Sequence, residues 1–529
     1  MSRLSVVSLS LFAVLVLSAC PPTGVVCKAG TIPCGTGCVD TQSDRRNCGA
    51  CGTACFAGED CNAGSCACRV GTVLCNSACV VTDYDAKNCG QCGVQCAIGQ
   101  VCELGVCKAS CSGTSTRCGA SCVETSSDVA HCGGCDVACA QGQQCVNGTC
   151  DYAAVAACYW SGQLVGFDPA SGVKGPLSDM GSNPAALARL GTTVLVSDQT
   201  DHRIYAALPT TSGTYARSKL DSPAGAVANQ LLVDRPYVYV ANAGSGSLLV
   251  LKEGLDAGVM TLDAGADGTL VLGALTELQL GMNTYPQGVV KVGTTLWVPL
   301  YGGFGADADA GQELQKIDVS TPDAPSLSGR VSLKGLDLHP FDGGTPVARP
   351  WAITSSGTTV FVALNNLNPD TYAPEGPGLV AKVDTANNDA LSVIDLGGGE
   401  CLNPQWLSMV GGKLVVSCGG VVTYSPSFTV DAVSAAGVVA VDPSGARVGA
   451  AWTVAGQADA DAGFLPMMPG RFAVSNGNVV LGDQNGGRAV ILSVTDAGVS
   501  EVRGVSNALN LCPVSSVTGV ANVADIVSR

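Results

Sequence analysis

The chain has 529 residues, of which 29 are Cys and 68 are Gly, with 13% charged, 5% aromatic and a formal net charge of −16. The length implies more than one domain, and the cysteine load excludes a reducing cytosol. The acidic balance excludes a nucleic-acid partner, which needs clustered Lys and Arg to displace counterions.

Met1-Ser2-Arg3 is a short basic start, and Leu4 to Val16 is an apolar run broken only by serines. That run is about half the length of a membrane span, so it reads as the core of an export signal. Leu17-Ser18-Ala19-Cys20 closes it, and Pro21-Pro22 follows. These residues resemble the bacterial lipobox. The resemblance implies that residues 1–19 are removed and that Cys20 becomes the lipidated first residue of the mature protein, with 20–26 as a linker. A diacylglycerol thioether plus an N-acyl chain buries enough CH2 for stable anchoring, which a single acyl chain does not. The competing reading is an ordinary signal-peptidase site with an incidental Cys. The lipobox reading implies a bacterial protein at the outer membrane or cell surface, with Cys20 as its only membrane anchor.

Three octets of cysteines come next, at 27–66, 68–107 and 111–150, each spaced C-x6-C-x3-C-x9-C-x2-C-x3-C-x5-C-x4-C without an insertion. Such a register repeated three times marks tandem units. The units also share Asn-Cys-Gly-x-Cys-Gly at Asn47 to Gly52 and Asn88 to Gly93, with His131 and Asp136 as the departures in the third. Phe56 and Tyr84 are the only aromatics between Cys27 and Cys150, so covalent staples must stand in for a hydrophobic core. Four disulfides per unit is the expectation, with 105 connectivities open for each. Zinc is the rival for the CxxC pairs Cys48/Cys51, Cys89/Cys92 and Cys132/Cys135, but the chain has only three His and no second matched pair per unit. The octets, with Cys-Val-Asp-Thr-x-Ser-Asp-x-x-Asn-Cys-Gly-x-Cys-Gly at Cys38 to Gly52, resemble the stigma-specific cysteine-rich family and, more loosely, EGF-like modules. That resemblance implies small extracellular interaction domains without catalysis.

From Asp151 to Arg529 cysteine becomes rare and short Val-rich strands take over. A template of Pro, apolar stretch, Gly-centred turn and β-branched run recurs. It reads Asn183-Pro184 to Val196, Tyr285-Pro286 to Val298, Arg349-Pro350 to Val362 and Asn403-Pro404 to Val416, with weaker starts at Pro223, Pro469 and Pro513. Seven starts predict an all-β fold, a seven-bladed β-propeller preceded by the three disulfide-stapled repeats. A third strand ending in Asp follows several hairpins, as at Lys316-Ile317-Asp318, Lys382-Val383-Asp384 and Ala440-Val441-Asp442. Gly166-Phe167-Asp168 lacks a template before it and Pro513 lacks chain after it, so the two ends together make one blade and leave no open edge. The pattern resembles YVTN and NHL-like propellers of surface proteins.

Four cysteines remain. Cys401 and Cys418 lie symmetrically about the turn at Val410-Gly411, and the template places Cys512 and Cys158 at the equivalent positions. Bridges Cys401–Cys418 and Cys158–Cys512 are therefore expected, the second across the closing blade, with each pair on neighbouring antiparallel strands.

No catalytic motif is present: G-x-S-x-G, H-E-x-x-H and the P-loop are all missing, and every cysteine outside the lipobox has a partner. Asp-Ala-Gly tracts at 255–268, 305–311 and 458–463 read as solvated insertions rather than Ca2+ loops. One constellation is left. Asp198, Asn242, Asn365 and Asp483 each follow the second strand of a blade, so they share one rim. They would bind Ca2+ or a polar ligand there, as in gluconolactonase-like propellers, or merely start turns. Two functions follow: a non-catalytic, lipid-anchored surface protein whose propeller binds a protein or polysaccharide, without a cofactor, or a lactonase-like hydrolase with a metal at the propeller mouth.

Overall fold

Short strands stapled by cystine come first, and long buried strands follow. The computed structural model describes residues 27, 31–35, 37–56, 58–68, 71–220, 227–253, 261–262, 270–303, 312–397, 399–426, 429–457, 465–515 and 518–529. The export signal, Cys20, Pro223 and most of the Asp-Ala-Gly tracts lie outside them. The chain divides into two compact units, one up to Glu124 and one from Thr125. Among the described residues no helix is long and apolar enough to cross a membrane.

In the first unit, hairpins such as Ile32–Cys34 with Gly37–Val39 and Val73–Cys75 with Ala78–Val80 carry the cysteines. Cys27–Cys38, Cys34–Cys51, Cys48–Cys61 and Cys55–Cys66 join first to third, second to fifth, fourth to seventh and sixth to eighth. The second octet repeats this at Cys68–Cys79, Cys75–Cys92, Cys89–Cys102 and Cys96–Cys107. In the third, Cys111–Cys122, Cys132–Cys145 and Cys139–Cys150 follow the same order, and Cys118 and Cys135 are disulfide-bonded as well. One connectivity thus replaces the 105 that spacing leaves open.

The shared motif has a local cause. Asn47 Oδ1 accepts the Gly52 N–H and its Nδ2 donates to Asp44 Oδ2, both at 2.8 Å, and Asn88 does the same with Gly93 and Asp85. His131 takes over the contact to the acid in the third unit, with Nδ1 3.0 Å from Asp128 Oδ2. Gly49 has φ +76°, and a Cβ on it would fall 2.5 Å from the Gly64 carbonyl oxygen. The glycine near each octet's end, Gly64, Gly105 or Gly148, therefore meets the glycine after the fourth cysteine, Gly49, Gly90 or Gly133. Successive repeats also touch: Glu103, 2% exposed, accepts from Lys108 Nζ at 2.7 Å and from Ser112 N at 2.8 Å and Oγ at 2.6 Å. Those bonds hold its carboxyl down at about 2.

Among the described residues, the second unit contains seven antiparallel sheets of four or five strands. The innermost strands of the first six blades are Pro184–Leu190, Ala228–Asp234, Val290–Val292, Pro350–Ser356, Pro404–Val410 and Pro469–Ser475. The closing blade runs, from the outside in, Lys174–Asp179, Gln163–Phe167, Ala154–Cys158 and Val523–Ser528. Its innermost strand comes from the C-terminus, with Ala154 opposite Ser528 and Ala156 opposite Ile526. That strand starts at Val523, not at Pro513. The chain between turns back on itself first, where Ser515 N–H bonds the Val520 carbonyl at 3.0 Å.

Among the described residues, seven hydrophobic clusters separate the blades, each between two neighbours. Alternation along Ala154–Cys158 shows how: Ala154, Ala156 and Cys158 face the sixth blade with Val480 and Ile491, while Val155 and Ala157 face the first with Leu187 and Val196. Both faces of such a strand are covered, so it reads as an unbroken apolar run rather than as an alternation. The Asp residues that end third strands turn the chain outward. Asp168, Asp318, Asp384 and Asp442 each accept the N–H two residues on, at 3.1, 2.8, 3.1 and 2.8 Å, which is the Asx-turn chemistry of short acids.

Cys158 ends its strand, and Cys512 lies in the loop after Leu509–Asn510 rather than in a neighbouring strand; their Cα atoms are 5.3 Å apart in a disulfide. Cys401 likewise precedes Pro404–Val410 and bonds Cys418 at the end of Lys413–Cys418, with Cα atoms 5.1 Å apart. Residues 125–150 belong to the propeller's unit. Gln143 Nε2 donates to the Thr210 carbonyl at 2.9 Å, and Arg529 donates to Gln144 Oε1 at 2.8 Å.

Candidate ligand site at the channel mouth

The inner strands all start at one end of the central channel, and the second strands end there. Asp198, Asn242 and Asp483 close their second strands and Asn365 directly follows one. All four are buried. Asp198 accepts the N–H groups of Asn183, Thr200 and Asp201 at 2.7, 3.0 and 2.8 Å. Asp483 accepts Met468 N and Asn485 N, each at 3.0 Å, and pairs with Arg488 at 2.6 Å. Burial pushes the Asp483 carboxyl above its ordinary range, opposed by Arg488. Asn365 donates to Asn403 Oδ1, and both polar atoms of the Asn242 amide are buried without a partner. None of the four lines the cavity at the mouth. Asp198 and Asp483 organise the turns of their own blades.

Their neighbours do line it. Gln199 and Gln484, one residue further on, face a cavity of ≈ 250 Å³ together with residues from the starts of inner strands. The first blade adds Ala185, the second Asn229, the fourth Trp351, the fifth Gln405 and the sixth Arg471. The closing blade adds Tyr159 and Trp160 from the turn between its two middle strands, and Asn522 and Ala524 from its C-terminal segment. In three blades the residue one place after a template Pro is a channel position, at Ala185, Trp351 and Gln405, and in the sixth blade it is the second place, Arg471 after Pro469. That column is readable in the sequence. The two aromatics of the hairpin turn carry no such signal.

A chain of amides runs round part of the ring. Tyr159 Oη donates to Gln199 Oε1 at 3.0 Å, Gln199 Nε2 to Asn229 Oδ1 at 3.1 Å, and Asn229 Nδ2 to Gln287 Oε1 at 2.7 Å. Tyr159 and Trp160 meet edge to face with centroids 4.8 Å apart, and Trp351 does the same with Tyr301 at 5.4 Å. The charged member of the lining is Arg471. Its guanidinium lies 4.7 Å from the Trp406 ring centre, donates to the Asn229 carbonyl at 2.6 Å and to Asp525 Oδ2 at 3.2 Å. Asp525 also accepts Leu187 N at 2.9 Å, and burial pushes its carboxyl up, against the pull of Arg471.

Among the described residues, each group of His, Cys, Asp or Glu close enough to share a cation contains repeat cysteines, such as Cys48, Cys55 and Cys66. Those sulfurs are in disulfides, which removes the thiolates that zinc would need.

The profile of the Stigma-specific STIG1-like protein family matches residues 103–153. No curated protein matches the chain. Solved propeller structures do: a putative 6-phosphogluconolactonase from Bacteroides fragilis is 15% identical over 67% of this chain and 96% of its own, with a TM-score of 0.44. A protein from Lactobacillus plantarum is 15% identical over 70% and 98%, with a TM-score of 0.46. A catalytically inactive virginiamycin B lyase from Staphylococcus aureus with quinupristin is 10% identical over 60% and 83%, with a TM-score of 0.37.

Proposed function

We propose that this is a non-catalytic binding protein of a bacterial surface, held by a lipid on Cys20, with the cysteine-rich repeats as a stalk and the propeller as a recognition head. The disulfide load fits an oxidising compartment outside the cytosol. One observation carries the binding role: the channel mouth is lined by amides and aromatic rings, while the rim carboxylates Asp198 and Asp483 are committed to backbone N–H groups and Arg488. Amides and indole rings orient a ligand, and the one phenol among the described lining residues, Tyr159, spends its proton on Gln199 Oε1 and is held protonated by burial and the nearby Asp198. The hydrolase reading requires a metal-holding carboxylate cluster at that mouth, and the geometry of the two acids gives it no support.

Two measurements test this. Cys20→Ala should move the protein into the aqueous phase of a detergent partition, and continued partitioning into detergent would sink the anchor. Purified propeller at neutral pH should hold no stoichiometric metal and should leave simple aldonolactones unhydrolysed above the uncatalysed rate. Metal-dependent turnover would instead establish the hydrolase.

A further inference from the structure

We propose that the channel mouth takes one uncharged sugar ring at the end of a glycan; this rests on the binding role above and names the ligand class. Size is the first argument. The cavity is ≈ 250 Å³, below the roughly 300–1,000 Å³ of pockets that enclose drug-sized molecules. A single ring fits, and the remainder of a chain stays outside.

Surface chemistry is the second. Trp160 is 42% exposed at the mouth and Trp351 faces it from the fourth blade. A pyranose has one face of C–H groups, which packs on an indole, and an equator of hydroxyls. Hydroxyls donate and accept, and so do amides. Gln484 and Gln405 line the cavity beside Gln199 and Asn229. Their amides offer both donors and acceptors to the hydroxyls of a ring placed there.

Charge is the third. Phosphorylated or carboxylated sugars need a cation free to meet them. The guanidinium of Arg471 is already matched by Asp525 and by the Asn229 carbonyl, and the chain as a whole carries −16. An anion entering this mouth would lose water and meet no uncommitted positive charge among the described lining residues.

The test uses the full mature chain and a panel of neutral methyl glycosides and short neutral oligosaccharides, with 6-phosphogluconate as the anionic probe. Saturable quenching of tryptophan fluorescence is expected with at least one neutral glycan and none with 6-phosphogluconate. Trp160→Ala, at a partly exposed position, should weaken that affinity by about tenfold, as loss of an aromatic anchor does, with the melting temperature unchanged. Gln484→Leu should do the same without removing a ring. Preference for 6-phosphogluconate, or no saturable binding across the neutral panel, overturns the assignment. If a peptide binds instead and Trp160→Ala abolishes it, the sugar assignment fails while the binding role stands. Hydrolysis of any panel member overturns the non-catalytic reading itself.

Discussion

Cys158 and Cys512 are 354 residues apart in sequence and bonded in space, at the same place in the closing blade that Cys418 and Cys401 occupy in the fifth. In each pair one cysteine ends the second strand of its blade, Cys158 and Cys418. Their partners arrive differently: Cys401 directly precedes the inner strand Pro404–Val410, whereas Cys512 sits in the loop after Leu509–Asn510, well before the inner strand Val523–Ser528. A ring closed by hydrogen bonds to Val523–Ser528 alone could open there first, and the disulfide removes that freedom.

The two bridges should therefore differ in what they contribute. In the chain-entropy model, closing a loop of 17 residues restricts the unfolded chain by ~3 kcal/mol and closing 354 by ~6. Replacing both cysteines of each pair with Ala, and measuring urea unfolding, should show the larger loss for Cys158/Cys512. Equal losses would mean that the unfolded ring stays collapsed near the closure, or that the closing blade is stable without its staple.

The order of disulfides within the octets is open to direct mapping. Proteolysis without reduction should recover Cys34–Cys51 and Cys48–Cys61 from the first repeat and Cys75–Cys92 and Cys89–Cys102 from the second. Pairing of Cys48 with Cys51 across the CxxC would contradict the fold, in which Cys48 is buried and bonded to Cys61 while Cys51 is bonded to Cys34. Stoichiometric zinc with reduced cysteines would restore the metal reading.

Propeller architecture was legible in the sequence because each blade reuses one physical solution. Pro184, Pro350, Pro404 and Pro469 all open innermost strands, where a residue without an N–H is tolerated at a strand's start. The candidate site was less legible because it depends on single-residue register. Asp198 and Gln199 are neighbours, yet one binds backbone beneath the rim and the other lines the cavity. Residue type alone singles out the acids Asp198 and Asp483, whereas the side chains facing the channel are the plainer Gln199 and Gln484. Cystine pairing in the repeats was hidden for a different reason: spacing shows that partners exist but not which are adjacent, and the Gly49 contact with Gly64 that sets the packing spans the repeat.

His339 gives a pH signature. Its ring is 2.8 Å from Asp395 and 3.7 Å from Asp337, and the bond to Asp395 raises its pKa above the ordinary 6.5. With the folded value raised, the contact's contribution is fully present below about pH 6.5 and is lost as pH rises through the folded value. With three His in the chain, NMR titration resolves them individually, and Asp395→Asn should lower the midpoint of His339. A midpoint unmoved by that substitution would remove the contact in solution.

Arg471 and Asp525 make the sharpest stability prediction, because the pair sits under the candidate site and is nearly closed to water. Their side chains are 14% and 6% exposed. Removing one partner of such a pair leaves the other charge without compensation, which costs about 3–5 kcal/mol, whereas replacing both with apolar or neutral groups of similar shape is often close to neutral. Arg471→Met should thus lower stability by about that amount, and Arg471→Met with Asp525→Asn should recover most of it. The remaining Asn would keep the acceptor for Leu187 N, now 2.9 Å away. Burial already favours the protonated form of Asp525, so the single variant should regain stability as the pH falls and the orphaned carboxyl takes up a proton. Urea unfolding of the three proteins at two pH values measures all of this. A single variant as stable as the parent at neutral pH would show that the pair is hydrated in solution, and a double variant as weak as the single one would place the cost in the lost packing of Arg471 on Trp406 instead.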